Sequence, residues 1–195
     1  MPNRHLSPGR LRRADPLARV EAADVALALR LAAAKDHPAV RGIAALSEAG
    51  SQQALLALCG GILAYGLATG DPRARRAGLH ALVAHGVASG IKTGIKRLVR
   101  RTRPNEFMDT GDYVFAPGGI RHGPLQSFPS GHAAVSVAVA RSLGRTRPGL
   151  RPAADLAAAA VALAQLPRGA HYPADVVAGV AIGLVAEAAA ARLLP

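Results

Sequence analysis

The chain has 195 residues, enough for one domain with a sizeable core or one compact bundle of spans. Half of them are hydrophobic, yet aromatics make up 3%, Trp is absent and the mean hydropathy is only +0.20. A water-soluble core of this size uses more large aromatic side chains, whereas Ala and Gly suit closely packed helices in water or lipid. The formal charge of +12 fits an anionic partner: nucleic acid, lipid headgroups or a phosphorylated substrate. Nucleic acid has no support beyond the charge, because there is no recognition motif and almost no aromatic surface for stacking. The single cysteine, Cys59, excludes an internal disulfide and reads as a small buried hydrophobe.

Residues 1–16 read as a flexible basic tail, and 17–195 as one helical domain. An amphipathic helix is predicted over 17–35, with Val20, Ala23, Leu27 and Leu31 on one stripe, broken by Asp36-His37-Pro38. Residues 51–69 are uncharged and close to span length, closed by Gly70-Asp71-Pro72. A second long helix over 77–99 is interrupted by His80, His85, Lys92 and Lys96. A Pro- and Gly-rich loop covers 101–129, and helices follow over 131–143, 153–166 and 174–194. No strand-like alternation of useful length is present. The expected fold is all-α: a six-helix membrane bundle of about five core helices plus the N-terminal amphipathic helix.

Three basic clusters bear on topology: the tail, Arg73 with Arg75 and Arg76, and Arg141 with Arg145, Arg147 and Arg151. If 17–35 enters the membrane and each later helix crosses it, all three fall on one side. The positive-inside rule makes that side, and the N-terminus, cytoplasmic. The connections 36–50, 100–130 and 167–173 then share the extracytoplasmic face.

That face holds three stretches with chemistry. Lys96 and Arg103 lie seven residues apart, roughly two helical turns, ahead of Pro104. Two cations at a helix end suit an anion with several oxygens, although alone they read equally as a solvated basic end. In Pro129-Ser130-Gly131-His132, Ser130 occupies an N-cap position and Gly131 lets a ligand approach the backbone. The free N–H groups of the first turn form an anion site, and His132 can exchange a proton beside it. In Arg168–Val176, Asp175 follows His171 by four residues, so its carboxylate can hold one ring nitrogen and leave the other as a nucleophile. Taken together the three match phosphoryl transfer through a phosphohistidine, with His171 attacking and His132 as acid and then base. Lys96, Arg103 and the N–H groups around Ser130 and Gly131 would hold the equatorial oxygens. The carboxylates are too few and scattered for a two-metal site, so neither a metal nor another cofactor is expected.

These residues closely resemble the type 2 phosphatidic acid phosphatase / vanadium haloperoxidase superfamily. Its signature is Lys, six residues, Arg-Pro; then Pro-Ser-Gly-His; then Ser-Arg, five residues, His, three residues, Asp. Here it falls on Lys96, Arg103-Pro104, Pro129–His132, His171 and Asp175, so the motif region spans 96–175. The resemblance implies a six-helix membrane form, the phosphohistidine mechanism and an extracytoplasmic active site in a multi-pass protein of the cell membrane. One element departs: the Ser-Arg pair falls on Ala164-Gln165. Arg168 is expected to replace the missing cation. The expected function is an integral membrane lipid phosphatase acting on a lipid phosphate or diphosphate. The alternatives are a soluble acid phosphatase or haloperoxidase-like enzyme, and a weakly active or non-enzymatic membrane protein with a degenerate phosphate site.

Overall fold

The computed structural model describes residues 16–118 and 123–194. The basic tail, apart from its last residue, and the loop residue His122 lie outside them. Eight α-helices are present among the described residues: α1 Pro16–Ala32, α2 Pro38–Ser47, α3 Gln52–Thr69, α4 Pro72–Leu98, α5 Pro104–Thr110, α6 Gly131–Thr146, α7 Arg151–Ala164 and α8 Pro173–Leu193. A short antiparallel pair, β1 Val99–Arg101 with β2 Phe115–Pro117, sets Arg101 opposite Phe115.

The helix boundaries follow local chemistry. Asp71 caps α4, accepting from the Arg73 amide at 2.8 Å, with Pro72 as the first helical residue. Gly70 takes a left-handed φ of 71° to end α3, a conformation that costs glycine little. Ser130 caps α6 and Pro173 opens α8.

Five helices, α3, α4, α6, α7 and α8, form the bundle, and its core is largely alanine. Ala84, Ala88, Ala134, Ala138, Ala186 and Ala190 are buried where α4, α6 and α8 meet. Small side chains let the backbones close up. Glycines bring α3 against α4, at Gly66 and Gly78, and α8 against α6. A methyl group at Gly179 would stand 2.5 Å from the Ser130 carbonyl oxygen, and one at Gly183 would stand 2.7 Å from that of Ala134. Two glycines one turn apart therefore set α8 against the start of α6, which brings the Ser130 and Asp175 segments together. The Ser130 amide donates to the Asp175 carbonyl at 2.9 Å.

The outer surface is apolar. Leu58 and Leu67 on α3, Leu156 and Leu163 on α7, and Val177 and Val185 on α8 are exposed. Only α3 and α8 are long and apolar enough by themselves to count as candidate spans. The wide apolar perimeter belongs to a bundle surrounded by hydrocarbon rather than water.

Three expectations change. First, α1 is not a bundle helix. It lies across one end of the bundle, with Asp24 accepting from the Ala174 amide at 2.9 Å and Glu21 accepting from the Tyr113 hydroxyl at 2.7 Å. Its carboxylates Glu21 and Asp24 are engaged by the loops at that end, unlike the crossing helix from which the topology was reasoned. The argument for a cytoplasmic N-terminus loses its basis with it. Second, α2, α5 and the β1–β2 pair occupy segments read as connections, each too short for periodicity to reveal. Third, Lys96 and Arg103 do not share a helix, because α4 ends at Leu98 and β1 intervenes. The connections carrying Arg73 and Arg147 do lie together at the opposite end, where Arg147 meets Asp71 at 3.3 Å.

The glycine seam yields a direct expectation. Gly179→Ala should destabilise the protein by roughly 1–3 kcal/mol through overpacking. Gly86→Ala on α4, with nothing within 4 Å of the added methyl, should leave the melting temperature unchanged or raise it. Thermal unfolding of both variants in detergent checks the contrast; equal behaviour would contradict it.

Candidate active site

The end of the bundle covered by α1 gathers the residues singled out in the sequence. Lys96 comes from the last turn of α4, Arg103 from the cap of α5, Ser130, Gly131 and His132 from the start of α6, Arg168 and His171 from the turn before α8, and Asp175 from its first turn. The Lys96 ammonium donates to the Gln126 carbonyl, and Arg103 Nε donates to the Gly123 carbonyl at 3.0 Å. Burial, and then the charge of Arg168, both work against ionisation of Arg103 and lower its pKa from the ordinary value. A guanidinium keeps its proton regardless. Ser130 is fully buried, its hydroxyl 3.4 Å from the Ala133 amide.

The two histidines present open nitrogens. His132 Nε2 and His171 Nδ1 are both buried without a hydrogen-bond partner. Each is turned toward a carboxylate 3.6 Å away, Asp175 for His171 and Glu48 for His132, so an acid orients each ring and Nε2 of His171 is the nitrogen left for a ligand. Nδ1 of His171 lies 3.6 Å from Asp175 Oδ2, close enough to be oriented but longer than a hydrogen bond. Catalytic contacts of this kind often tighten only with substrate bound. Burial dominates the titration of His171 and pushes its pKa down to about 4, against the opposing pull of Asp175. The ring is therefore neutral at physiological pH.

Asp175 is more than an orienting partner. It is completely buried, and Arg101, 2% exposed, donates to its Oδ1 at 2.6 Å. Ser127 Oγ donates to Oδ2 at 2.5 Å, and the Tyr172 amide donates to the same oxygen at 2.9 Å. Arg101 in turn holds Asp24 at 2.7 Å, donates to the Tyr113 hydroxyl at 3.2 Å and stacks over the Tyr172 ring at 3.9 Å. The sequence offered Arg101 only as one more basic residue near a helix end. Its burial depends on carboxylates 77 residues before it and 74 after it, and no local pattern reports those.

Arg168 lies at the site but is engaged. It donates to Glu48, whose other oxygen stands 3.6 Å from His132 Nε2. Burial opposes ionisation of Glu48, but the Arg168 guanidinium outweighs it and holds the carboxyl below its ordinary range. Glu48 was not anticipated from the sequence. At the departing position, Gln165 is buried and turns away, with Nε2 donating to the Val161 carbonyl at 2.9 Å and to Ser47 Oγ at 3.3 Å. No group of three His, Cys, Asp or Glu among the described residues is arranged to hold a metal ion.

An apolar cavity of about 290 Å³ lies among α3, α6 and α7, lined by Gly50, Leu55, Ser136, Ala140, Ala157 and Val161 and by none of the site's charged groups. Gly50 follows Glu48 closely, and Ser136 lies one turn below His132.

A helical bundle with an apolar perimeter, carrying a cluster of two histidines and several cations at one end, is the class that fold and site define. The chain belongs to the PAP2 superfamily, whose sequence profile matches residues 77–195. It is 38% identical to the lipid A 1-phosphatase of Rhizobium johnstonii over 98 residues, 50% of this chain and 40% of that one. It is 36% identical to the decaprenylphosphoryl-5-phosphoribose phosphatase of Mycolicibacterium smegmatis over 162 residues, 80% of this chain and 79% of that one. The chain spans about half or less of the length of the Rhizobium relatives, 40% and 42%. Its fold matches the transmembrane PAP2-type phosphatidylglycerolphosphate phosphatase of Bacillus subtilis, with a TM-score of 0.60 at 20% identity over 90% of this chain and 86% of that one.

Replacing Arg101 by Met would leave the Asp175 charge buried and unpaired. The expected loss is about 3–5 kcal/mol of stability, because breaking one half of a buried pair exposes the full desolvation cost of the other. Thermal unfolding of Arg101→Met, read beside the exposed-charge variant Arg73→Met, checks this; equal melting temperatures would count against it.

Proposed function

We propose that the chain is an integral membrane lipid phosphatase that removes the terminal phosphate of a lipid phosphate or diphosphate. The observation that carries the reading is the pair of imidazoles, His171 turned by Nδ1 toward Asp175 and His132 toward Glu48, at the same end of the bundle as Lys96, Arg103 and the capped start of α6. The apolar cavity among α3, α6 and α7, which comes nearest the site at Gly50 and Ser136, supports a substrate with a hydrocarbon tail. Residues 17–195 act as one domain. The site faces the extracytoplasmic side, because Arg73, Arg75, Arg76, Arg145, Arg147 and Arg151 cluster around the other end of the bundle.

In the first step the free nitrogen of neutral His171 attacks phosphorus. An N–P bond forms while the bond from phosphorus to the leaving oxygen breaks, and protonated His132 gives that oxygen its proton. In the second step neutral His132 takes a proton from water as the water oxygen bonds to phosphorus. The N–P bond then breaks, inorganic phosphate leaves and His171 is regenerated. Asp175, held by Arg101 and Ser127, stabilises the imidazole while it carries the phosphoryl group. Lys96, Arg103 and the Ser130 and Gly131 segment neutralise the equatorial oxygens. Arg168 joins them by exchanging Glu48 for the phosphate, and Glu48 then remains to orient His132.

Gln165 favours a second reading, a site that binds lipid phosphate with little turnover, since it removes one guanidinium from the family's set. The names of the relatives point to lipid-linked phosphates, lipid A and a decaprenyl phosphoribose among them. A polyprenyl or glycolipid phosphate is therefore the first substrate to offer.

Phosphate release by purified protein in detergent, with EDTA present, tests both readings. Release should survive EDTA and vanish in His171→Ala, and Arg168→Ala should lower kcat/KM on the order of 10²–10³. The acid limb of kcat/KM should fall near pH 4, where His171 takes up its proton, and not near the ordinary histidine value of 6.5. Binding without release by wild type would establish the second reading, and release that His171→Ala leaves intact would remove the phosphohistidine.

A further inference from the structure

We propose that Lys92 is a further phosphate-binding residue of this site, supplying from below the positive charge that Gln165 no longer provides. The inference rests on the phosphatase reading and extends it to a residue outside the family motifs.

Lys92 precedes Lys96 by one helical turn on α4, so the two ammonium groups share a face. That face meets the start of α6. A methyl group built on Gly131 would lie 3.2 Å from Lys92 Cδ and 3.6 Å from both its Cε and its Nζ. The ammonium thus reaches the backbone of the first residue of α6, where the N–H groups of Gly131 and His132 are left for a ligand, that of Ser130 being taken by the Asp175 carbonyl. No hydrogen bond joins it to a described residue, and no carboxylate of a described residue lies within 4 Å. The other cations of the site all have partners: Lys96 with Gln126, Arg103 with Gly123, Arg168 with Glu48 and Arg101 with Asp175.

This placement is unfavourable in an empty site. The N-terminus of a helix carries about half a positive charge, so a cation there is repelled. Lys96, one turn away, adds a second repulsion. Both reverse in sign when a phosphate sits on the α6 amides: the anion then bridges amide, Lys92 and Lys96 in one charge-assisted set. Gly131 is what permits the approach, since any side chain there presses on the Lys92 stem at 3.2 Å. Ser89, three residues earlier on the same face, has its Oγ buried without a partner, so this side of α4 stays polar beneath the site. A lysine can serve where the motif arginine is missing because a point charge needs no planar partner geometry.

Lys92→Ala, Lys92→Met and Lys92→Arg in the full chain test the proposal in detergent. Two quantities are read: kcat/KM on a lipid phosphate that wild type hydrolyses, and the affinity for orthovanadate, which mimics phosphorus at five-coordination. Met keeps the apolar stem and guards against a packing effect. Lys92→Ala and Lys92→Met should each lower both quantities roughly tenfold to a hundredfold, the worth of one charged hydrogen bond, and Lys92→Arg should recover most of the loss. Unchanged vanadate affinity in Lys92→Met, while His171→Ala abolishes turnover, would overturn the role of Lys92 and leave the phosphatase standing. A wild type that neither hydrolyses lipid phosphates nor binds orthovanadate would overturn both.

Discussion

The ion pair between Arg101 and Asp175 is the constraint on which this end of the molecule depends. It is dry on both sides, and its two residues stand 74 positions apart. Arg101 also reaches Asp24, so one guanidinium binds α1, the start of α8 and the strand leaving α4. Asp175 adds Ser127 from the loop before α6 and the Tyr172 amide beside His171. A buried pair of this kind is poor evidence of net stability, but breaking one half is costly. Its consequence is registration: four chain segments far apart in sequence must meet at one point, and His171 lies four residues from that point.

The surrounding packing makes the registration possible. Gly179 and Gly183 bring α8 against α6 closely enough for the Asp175 carbonyl to accept from the Ser130 amide. The Ser130-capped start of one helix and the histidine-bearing start of another are thereby tied through backbone as well as side chains. Around this tie the charge is strongly positive. Among the described residues, Lys92, Lys96, Arg103 and Arg168 are answered by Glu48 and by an Asp175 already committed to Arg101. Such an excess is tolerable near an apolar cavity only where an anion completes it.

Much of this was legible in the sequence and some was not. The five bundle helices announce themselves through long Ala- and Leu-rich stretches and through proline, serine and glycine at their ends. The three motifs identify His132, His171, Lys96 and Arg103 because local spacing reflects the chemistry each stretch performs. Arg101 looked like its basic neighbours, since its burial is decided by Asp24 and Asp175, which no local pattern links to it. Glu48 was hidden for the same reason, on a single turn between helices. The role of α1 was misread because an amphipathic stripe does not say which surface it covers; Glu21 and Asp24, on its polar side, turned out to be the anchors. Lys92 stood inside a helical pattern as an interruption, and only the nearness of Gly131 gives it a meaning.

The central claim is that phosphorus becomes bonded to His171. The most direct measurement uses His132→Ala with a lipid phosphate whose leaving group needs no protonation. Without His132 to activate water, the second step should stall and the intermediate should accumulate. Peptide mass spectrometry under alkaline handling, which preserves phosphohistidine, should then find one phosphoryl group on the peptide carrying His171. A phosphoryl group on another residue, or leaving-group release with no covalent intermediate, would contradict the account.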